Sequence, residues 1–201
     1  MTPRIFKVSP ESPDAAIAAA GRTLQAGCLV VFPTDTVYGI AAHPEIPSAV
    51  DRLFEAKYRN LHKPIPLLAS SLARAEQAGA RFDPVERRVA EALWPGPLTL
   101  IVAAGDHEEG IRVPDHAIAL ALLAAVGGTL RATSANRSGR PPAGTAEQAL
   151  EALAPFVDVV LDAGPIAGGV ASTVARVRGG TVEILRKGEI TEDDITACLA
   201  P

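Results

Sequence analysis

Aromatic residues make up only 4% of this chain. A core of stacked rings is therefore excluded, and the 48% hydrophobic content, rich in Ala and Val, has to pack as small aliphatic side chains. Cysteine is nearly absent too. Cys28 lies inside an apolar run and Cys198 near the end; thiols so far apart make neither a zinc spacing nor a disulfide framework, and read as two free thiols in a reducing cytoplasm. There is no surplus of basic charge. The net charge of -4 and the pI near 5.6 exclude a strongly basic nucleic-acid coat but leave room for a local positive cleft. Long apolar runs are missing as well: the longest, Ala117 to Val126, is about half of the ~20 residues a membrane span requires. The N-terminal MTPRIFKV has no apolar signal region, so a cytoplasmic protein without membrane contact is expected. No G-x-x-x-x-G-K-[ST], no G-x-G-x-x-G after a strand and no H-E-x-x-H occurs. A nucleotide would have to be held by isolated side chains, and no protein-bound metal is expected. Nothing divides the chain, no repeat, low-complexity tract or linker, and the expectation is one domain over residues 1–201.

What is present is concentrated at strand ends. In CLVVFPTDTVYG, from Cys28 to Gly39, an apolar run stops at Pro33 and delivers Thr34, Asp35 and Thr36 into a loop. About twenty residues on comes Lys57-Tyr58-Arg59, with Lys63 close behind. The chain has only four lysines against fifteen arginines, so two of the four fall within seven residues. A polar strand-end loop beside a cationic cluster suggests a site for an anionic, phosphorylated substrate.

The pattern predicts strands at Arg4–Val8, Cys28–Phe32, Ile65–Ala69, Leu98–Ala103, Ile111–Val113, Thr129–Ala132, Val157–Leu161, Thr173–Val177 and Val182–Leu185, the last two joined through Gly179-Gly180 as a hairpin. Helices are expected from Ser12-Pro13 to near Gly27, from Ser48 as a cap to Lys57, and over Ser71–Ala78, Pro84–Leu93 and Asp115–Val126. Two more follow, one opened by a Thr145/Gln148 capping box and one by Thr191. Trp94-Pro95-Gly96-Pro97 must break the chain. Helices alternating with buried strands give an α/β fold, a twisted open sheet that is mostly parallel early and carries an antiparallel hairpin late.

Open α/β sheets place ligands at strand ends. Besides Pro33-Thr34-Asp35-Thr36, such positions hold Thr133-Ser134-Ala135-Asn136, Arg112, Ser172-Thr173 and Arg186. Each has a bland reading: Thr34 and Asp35 as turn formers, Lys57 as a complement to its helix dipole, Ser134 and Asn136 as turn residues, Arg112 and Arg186 as surface charges, Ser172 as an edge-strand serine. Their joint order and spacing favours a site, because the bland readings are independent of one another.

PTDTVYG, KYR followed by Lys63-Pro64, WPGPLT, IRVPDH, TSANRSG, ASTV and LRKGE occur in that order from Leu29 to Glu189, and on these seven motifs the chain resembles the YrdC/TsaC family of threonylcarbamoyl-AMP synthases. The resemblance implies an α/β twisted open mixed sheet with flanking helices around a positively charged concave cavity. The implied activity is condensation of L-threonine, bicarbonate and ATP, with Mg2+ on the triphosphate, into L-threonylcarbamoyladenylate and pyrophosphate. A transferase complex would then move the threonylcarbamoyl group to adenosine 37 of tRNA, giving t6A. Position by position, Thr36, Arg112 and Ser172 would hold threonine, and Arg59, Lys63, Ser134, Asn136 and Arg186 would hold ATP. Lys57 and Arg59 of the Lys-x-Arg signature would be catalytic, facing carbamate or phosphate charge.

The chain departs from the family pattern at Asn60, where proline is common, at Pro142, where a serine is common, and at Ala171, where a glutamate often precedes the Ser-Thr pair. Two alternatives stay open. One is a YciO-like paralogue that binds tRNA, double-stranded RNA or nucleotide with little synthase activity, for which Arg87-Arg88 and Arg137 with Arg140 are the only supplementary basic patches. The other is carbamoyl transfer as in hydrogenase-maturation proteins, whose accompanying domains and zinc motifs 201 residues do not accommodate.

Overall fold

The computed structural model describes residues 2–9, 14–58, 64–167 and 169–199. In chain order the elements are β1 (Arg4–Lys7), α1 (Asp14–Gln25), β2 (Val30–Phe32), β3 (Gly39–Ala42), α2 (Pro47–Lys57), β4 (Leu67–Ala69), α3 (Leu72–Gln77), β5 (Ala80–Arg81), α4 (Pro84–Leu93), β6 (Leu98–Ala104), β7 (His107–Arg112), α5 (Ala117–Ala125), β8 (Thr129–Ser134), α6 (Ala146–Leu153), β9 (Val159–Asp162), β10 (Thr173–Arg178), β11 (Thr181–Arg186) and α7 (Glu192–Ala197). The eleven strands among the described residues form one sheet, ordered β1-β9-β2-β3-β8-β4-β7-β6-β10-β11, with β5 paired to β6.

Local chemistry sets the element ends. Asp83 caps α4 with a full capping box to Glu86, and Thr191 does the same for α7 with Asp194. α4 stops at Leu93, where the Trp94–Pro97 run begins. Gly179 and Gly180, both at positive φ, make the two-residue turn between β10 and β11 that side-chain-bearing residues rarely adopt.

Several expectations need correction. Ser48 is not a cap: α2 begins at Pro47, whose ring pre-sets the first helical turn, and Ile46 precedes it without a side-chain cap. The Thr145/Gln148 box is half formed. Thr145 Oγ1 accepts from Gln148 N, but Gln148 Oε1 accepts from Gly144 N instead of Thr145 N. The sheet is not mostly parallel early. β3 runs antiparallel to both β2 and β8, and β8 antiparallel to β4, while the parallel pairs are β1–β9, β9–β2, β4–β7 and β6–β10. The strand expected at Ile111–Val113 is six residues long and starts at His107, because its polar first half pairs with β6 as a hairpin. The Ser12-Pro13 helix start lies outside the described residues, as do Arg59, Asn60 and Lys63.

The core falls into three clusters of buried side chains. α1 and α5 cover one face of β2, β9 and β8 through Leu24, Ile118, Leu122, Phe32 and Leu161. α2 and α6 cover the opposite face of β2, β3 and β9 through Leu53, Leu153, Val31, Ile40 and Val160. α3, α4 and α7 cover one face of β4, β6, β7 and β10 through Ala75, Val89, Ile195, Leu98, Leu100, Ile111 and Ala175. Since side chains alternate across a strand, Leu68, Thr99, Ile101, Gly110, Arg112 and Val174 point to the other face of that second half. There they line a cavity of about 200 Å³.

Candidate active site

The PTDT loop opens this cavity where Pro33 ends β2. Thr34 forms the turn that the bland reading expected: its Oγ1 accepts from the backbone N–H of Thr36 and Val37, both at 3.2 Å, and donates to Val37 O at 2.6 Å. The turn also builds the site. The two hydroxyl oxygens lie 3.0 Å apart. Thr36 Oγ1 also accepts Arg112 Nη1 at 2.9 Å. One acceptor position is left on this oxygen, suited to an N–H or O–H group of a ligand.

Arg112 ends β7 with a nearly buried guanidinium. Its Nε donates to Gly96 O at 3.0 Å, Nη1 to Thr36 Oγ1, and Nη2 to Asp35 Oδ1 at 2.6 Å. Three of the five N–H groups are spent, leaving two for a ligand such as a carboxylate. Burial pushes the Arg112 pKa down while the Asp35 carboxylate opposes that shift. Gly96 has to be glycine here, since a Cβ would stand 2.5 Å from Leu93 O. Behind Arg112, Asp35 Oδ2 and His116 Nδ1 are buried without hydrogen-bond partners among the described residues. Burial lowers the His116 pKa from its ordinary value, against the pull of Asp35 and Asp115.

On the opposite wall Ser172 sits at the start of β10. Its carbonyl accepts Arg186 Nε at 3.0 Å and Nη2 at 2.8 Å, and its Oγ accepts Nη2 at 2.9 Å. Thr99 Oγ1 lies 2.9 Å from the same Oγ. The chain after Arg186 presses against this segment at Gly188, where a Cβ would be 2.3 Å from Thr173 N and 2.5 Å from Ala171 O. The ASTV and LRKGE motifs are thus two sides of one backbone contact.

Lys57 and the TSAN loop form the third part. Lys57 Nζ crosses from the end of α2 to the carbonyls of Ser134 and Asn136, and reaches Asn136 Oδ1 at 3.0 Å. Asn136 Nδ2 donates to Arg137 O at 3.1 Å and Arg140 O at 2.5 Å. Ser134 lines the cavity; Asn136 lines a second, more open cleft with Arg140 and Pro142. Tyr58, at φ 47, caps α2 with its ring beneath the Arg137 guanidinium.

Of the residues singled out from sequence, Thr36, Arg112, Ser134, Ser172 and Arg186 line one cavity. Lys57 and Asn136 shape the loop that carries Ser134, and Arg59 and Lys63 lie outside the described residues. Ala171 lines the cavity as well. Sequence reading missed Thr99, Gly110, Ile101 and Val174, which lie inside or beside apolar runs. The signal that finds them is strand alternation, once the covered face is known.

These features define an α/β protein with a cavity on the uncovered face of a mixed sheet, between hydroxyl groups and arginine forks. A family model described as telomere recombination (Sua5, YciO, YrdC) matches residues 22–188. A protein of Mycobacterium tuberculosis (strain H37Rv) is 37% identical over 99% of this chain and 96% of its own length. The threonylcarbamoyl-AMP synthase of Bacillus subtilis (strain 168) is 34% identical over 94% of this chain, which spans 58% of that protein. Pyrococcus abyssi Sua5 complexed with L-threonine superposes with a TM-score of 0.87 at 30% identity, over 98% of this chain and 60% of that one. The chain belongs to the Sua5/YciO/YrdC family.

Proposed function

We propose that this chain is an ATP-dependent nucleotidyltransferase that condenses L-threonine, bicarbonate and ATP into L-threonylcarbamoyladenylate and pyrophosphate, for t6A modification of tRNA. The observation that carries this reading is the Arg112 fork, with two N–H groups to spare, opening into the same cavity as the acceptor oxygen of Thr36, the Ser134 hydroxyl and the Ser172–Arg186 pair. An amino acid has a carboxylate for Arg112 and an amine for Thr36. The amine and bicarbonate form a carbamate with loss of water; its oxygen attacks the α-phosphorus and expels pyrophosphate, and fixed cationic donors stabilise the charge that builds on both groups. Mg2+ arrives with the triphosphate and asks for few protein carboxylates, in keeping with a cavity lined by hydroxyls and arginines.

Arg59 and Lys63 belong to the ATP side in this reading, and Lys57 acts by fixing the Ser134–Asn136 turn. The product passes to a separate transferase in the cytoplasm. The RNA-binding paralogue has less support, since the Bacillus subtilis relative is named a synthase. The test is pyrophosphate release by purified protein with Mg-ATP, bicarbonate and L-threonine, with mass spectrometry for the adenylate. Threonine-dependent product that collapses in Arg112→Lys and Lys57→Ala supports the reading. A folded protein that binds ATP but yields no adenylate overturns it.

A further inference from the structure

Thr99 lies in the middle of an apolar strand, is nearly fully buried, and spends its hydroxyl on Ser172 in the wall of the cavity. Its γ-methyl lies beside Gly110. A Cβ on Gly110 would be 3.4 Å from Thr99 Cγ2 and 3.2 Å from Pro66 Cβ, so the methyl packs into the space that glycine leaves. The two hydroxyls of Thr99 and Ser172 carry two protons, and their mutual contact uses one. Arg186 Nη2 donates to Ser172 Oγ and so fills an acceptor position. One O–H is left over whichever way the pair is oriented, and both residues face the cavity.

Around this donor the wall is apolar. Val174 is the direct cross-strand partner of Thr99, and Ile101 is the next residue of β6 on the same face. One hydroxyl donor beside two branched aliphatic side chains is the complement of a carbon bearing both an oxygen and a methyl.

Resting on the synthase reading above, we propose that Thr99 is a specificity-determining residue: with Ser172 it donates the spare proton to the side-chain hydroxyl of the amino-acid substrate, while Ile101 and Val174 receive its methyl. Arg112 is then left to the carboxylate and Thr36 to the amine. A site that hydrogen-bonds a substrate hydroxyl strongly rejects analogues lacking it, because its own polar groups would otherwise stay buried and unpaired.

The experiment compares wild type, Thr99→Val and Thr99→Ser with L-threonine, L-valine and L-2-aminobutyrate. It reads kcat and KM for pyrophosphate release, and Kd by calorimetry, with a thermal melt confirming folding. Thr99→Val leaves the Ser172 O–H without the Thr99 oxygen that orients it, and should weaken L-threonine by about 10-fold, mainly in KM and Kd. It should leave L-valine and L-2-aminobutyrate unchanged or improved, and Thr99→Ser should keep the wild-type preference. An equal loss for all three amino acids, or no loss for L-threonine, overturns the proposal. If wild type binds L-threonine but releases no pyrophosphate, the synthase reading fails alone, and the Kd comparison still decides the role of Thr99. If wild type does not bind L-threonine at all, both fail.

Discussion

The two halves of the sheet are built from similar residues and put to different use. In β2, β3 and β9 both faces are covered: Val30, Phe32, Ala41, Val159 and Leu161 pack under α1 and α5, and Val31, Ile40, Ala42 and Val160 under α2 and α6. In β6, β7 and β10 the helices cover one face only, so Thr99, Ile101, Gly110, Arg112 and Val174 line an open cavity. The doubly covered half is a platform. From it the PTDT loop leaves at the end of β2 and crosses to meet Arg112 on β7. The difference teaches that an apolar strand is not by itself a core strand: what its second face does depends on whether a helix arrives there.

The comparison can be broken most forcefully at Arg112, the residue that joins the halves. Arg112→Ala removes the cation beside the half-buried Asp35 carboxylate, one of whose oxygens has no hydrogen-bond partner among the described residues. It should destabilise the protein by about 3–5 kcal/mol and abolish threonine-dependent turnover, read by urea denaturation and the pyrophosphate assay. Next in size, Leu161→Ala on the doubly covered half should cost about 2–5 kcal/mol while leaving KM for threonine unchanged. Ile101→Ala on the open face should cost less than about 1.5 kcal/mol and raise that KM. Equal stability losses for the two would erase the distinction between the halves.

The smallest effect concerns pH. Burial pushes the Asp162 carboxyl up, but Lys7, the Gly164 N–H and the Tyr38 hydroxyl outweigh it and hold the pKa below the usual value. A group depressed in the folded state contributes stability that is complete above its unfolded pKa, about 3.9, and is lost as pH falls through the folded value. Asp162→Asn should therefore lower stability at pH 7 slightly and make its decline between about pH 4 and 2 shallower. Lys7 is exposed, so added salt should shrink the difference.

How much of this could be read from sequence follows from the same physics. Hydroxyls and arginines at strand ends stand out against apolar runs, and Thr36, Arg112, Ser134, Ser172 and Arg186 do converge. Thr99 was hidden because LTLIVAA reads as a continuous apolar run, in which a threonine passes as a β-former. β3 was hidden because Gly39-Ile40-Ala41-Ala42 has little strand propensity and is held by its neighbours β2 and β8. Missing it made the sheet look more parallel than it is. Gly96 and Gly188 were legible as chain breakers only. Their close contacts with Leu93 O and with Thr173 N are long-range facts that no local pattern carries.

The most direct test of the account is amide hydrogen exchange on the intact protein with and without saturating L-threonine. It predicts slowed exchange in Leu98–Val102, Gly110–Val113 and Ser172–Ala175 and in the PTDT loop, with Val30–Val31 and Val159–Leu161 unchanged. Protection concentrated under α1 and α5, or none while threonine binds, would contradict the assignment of the ligand to the open face.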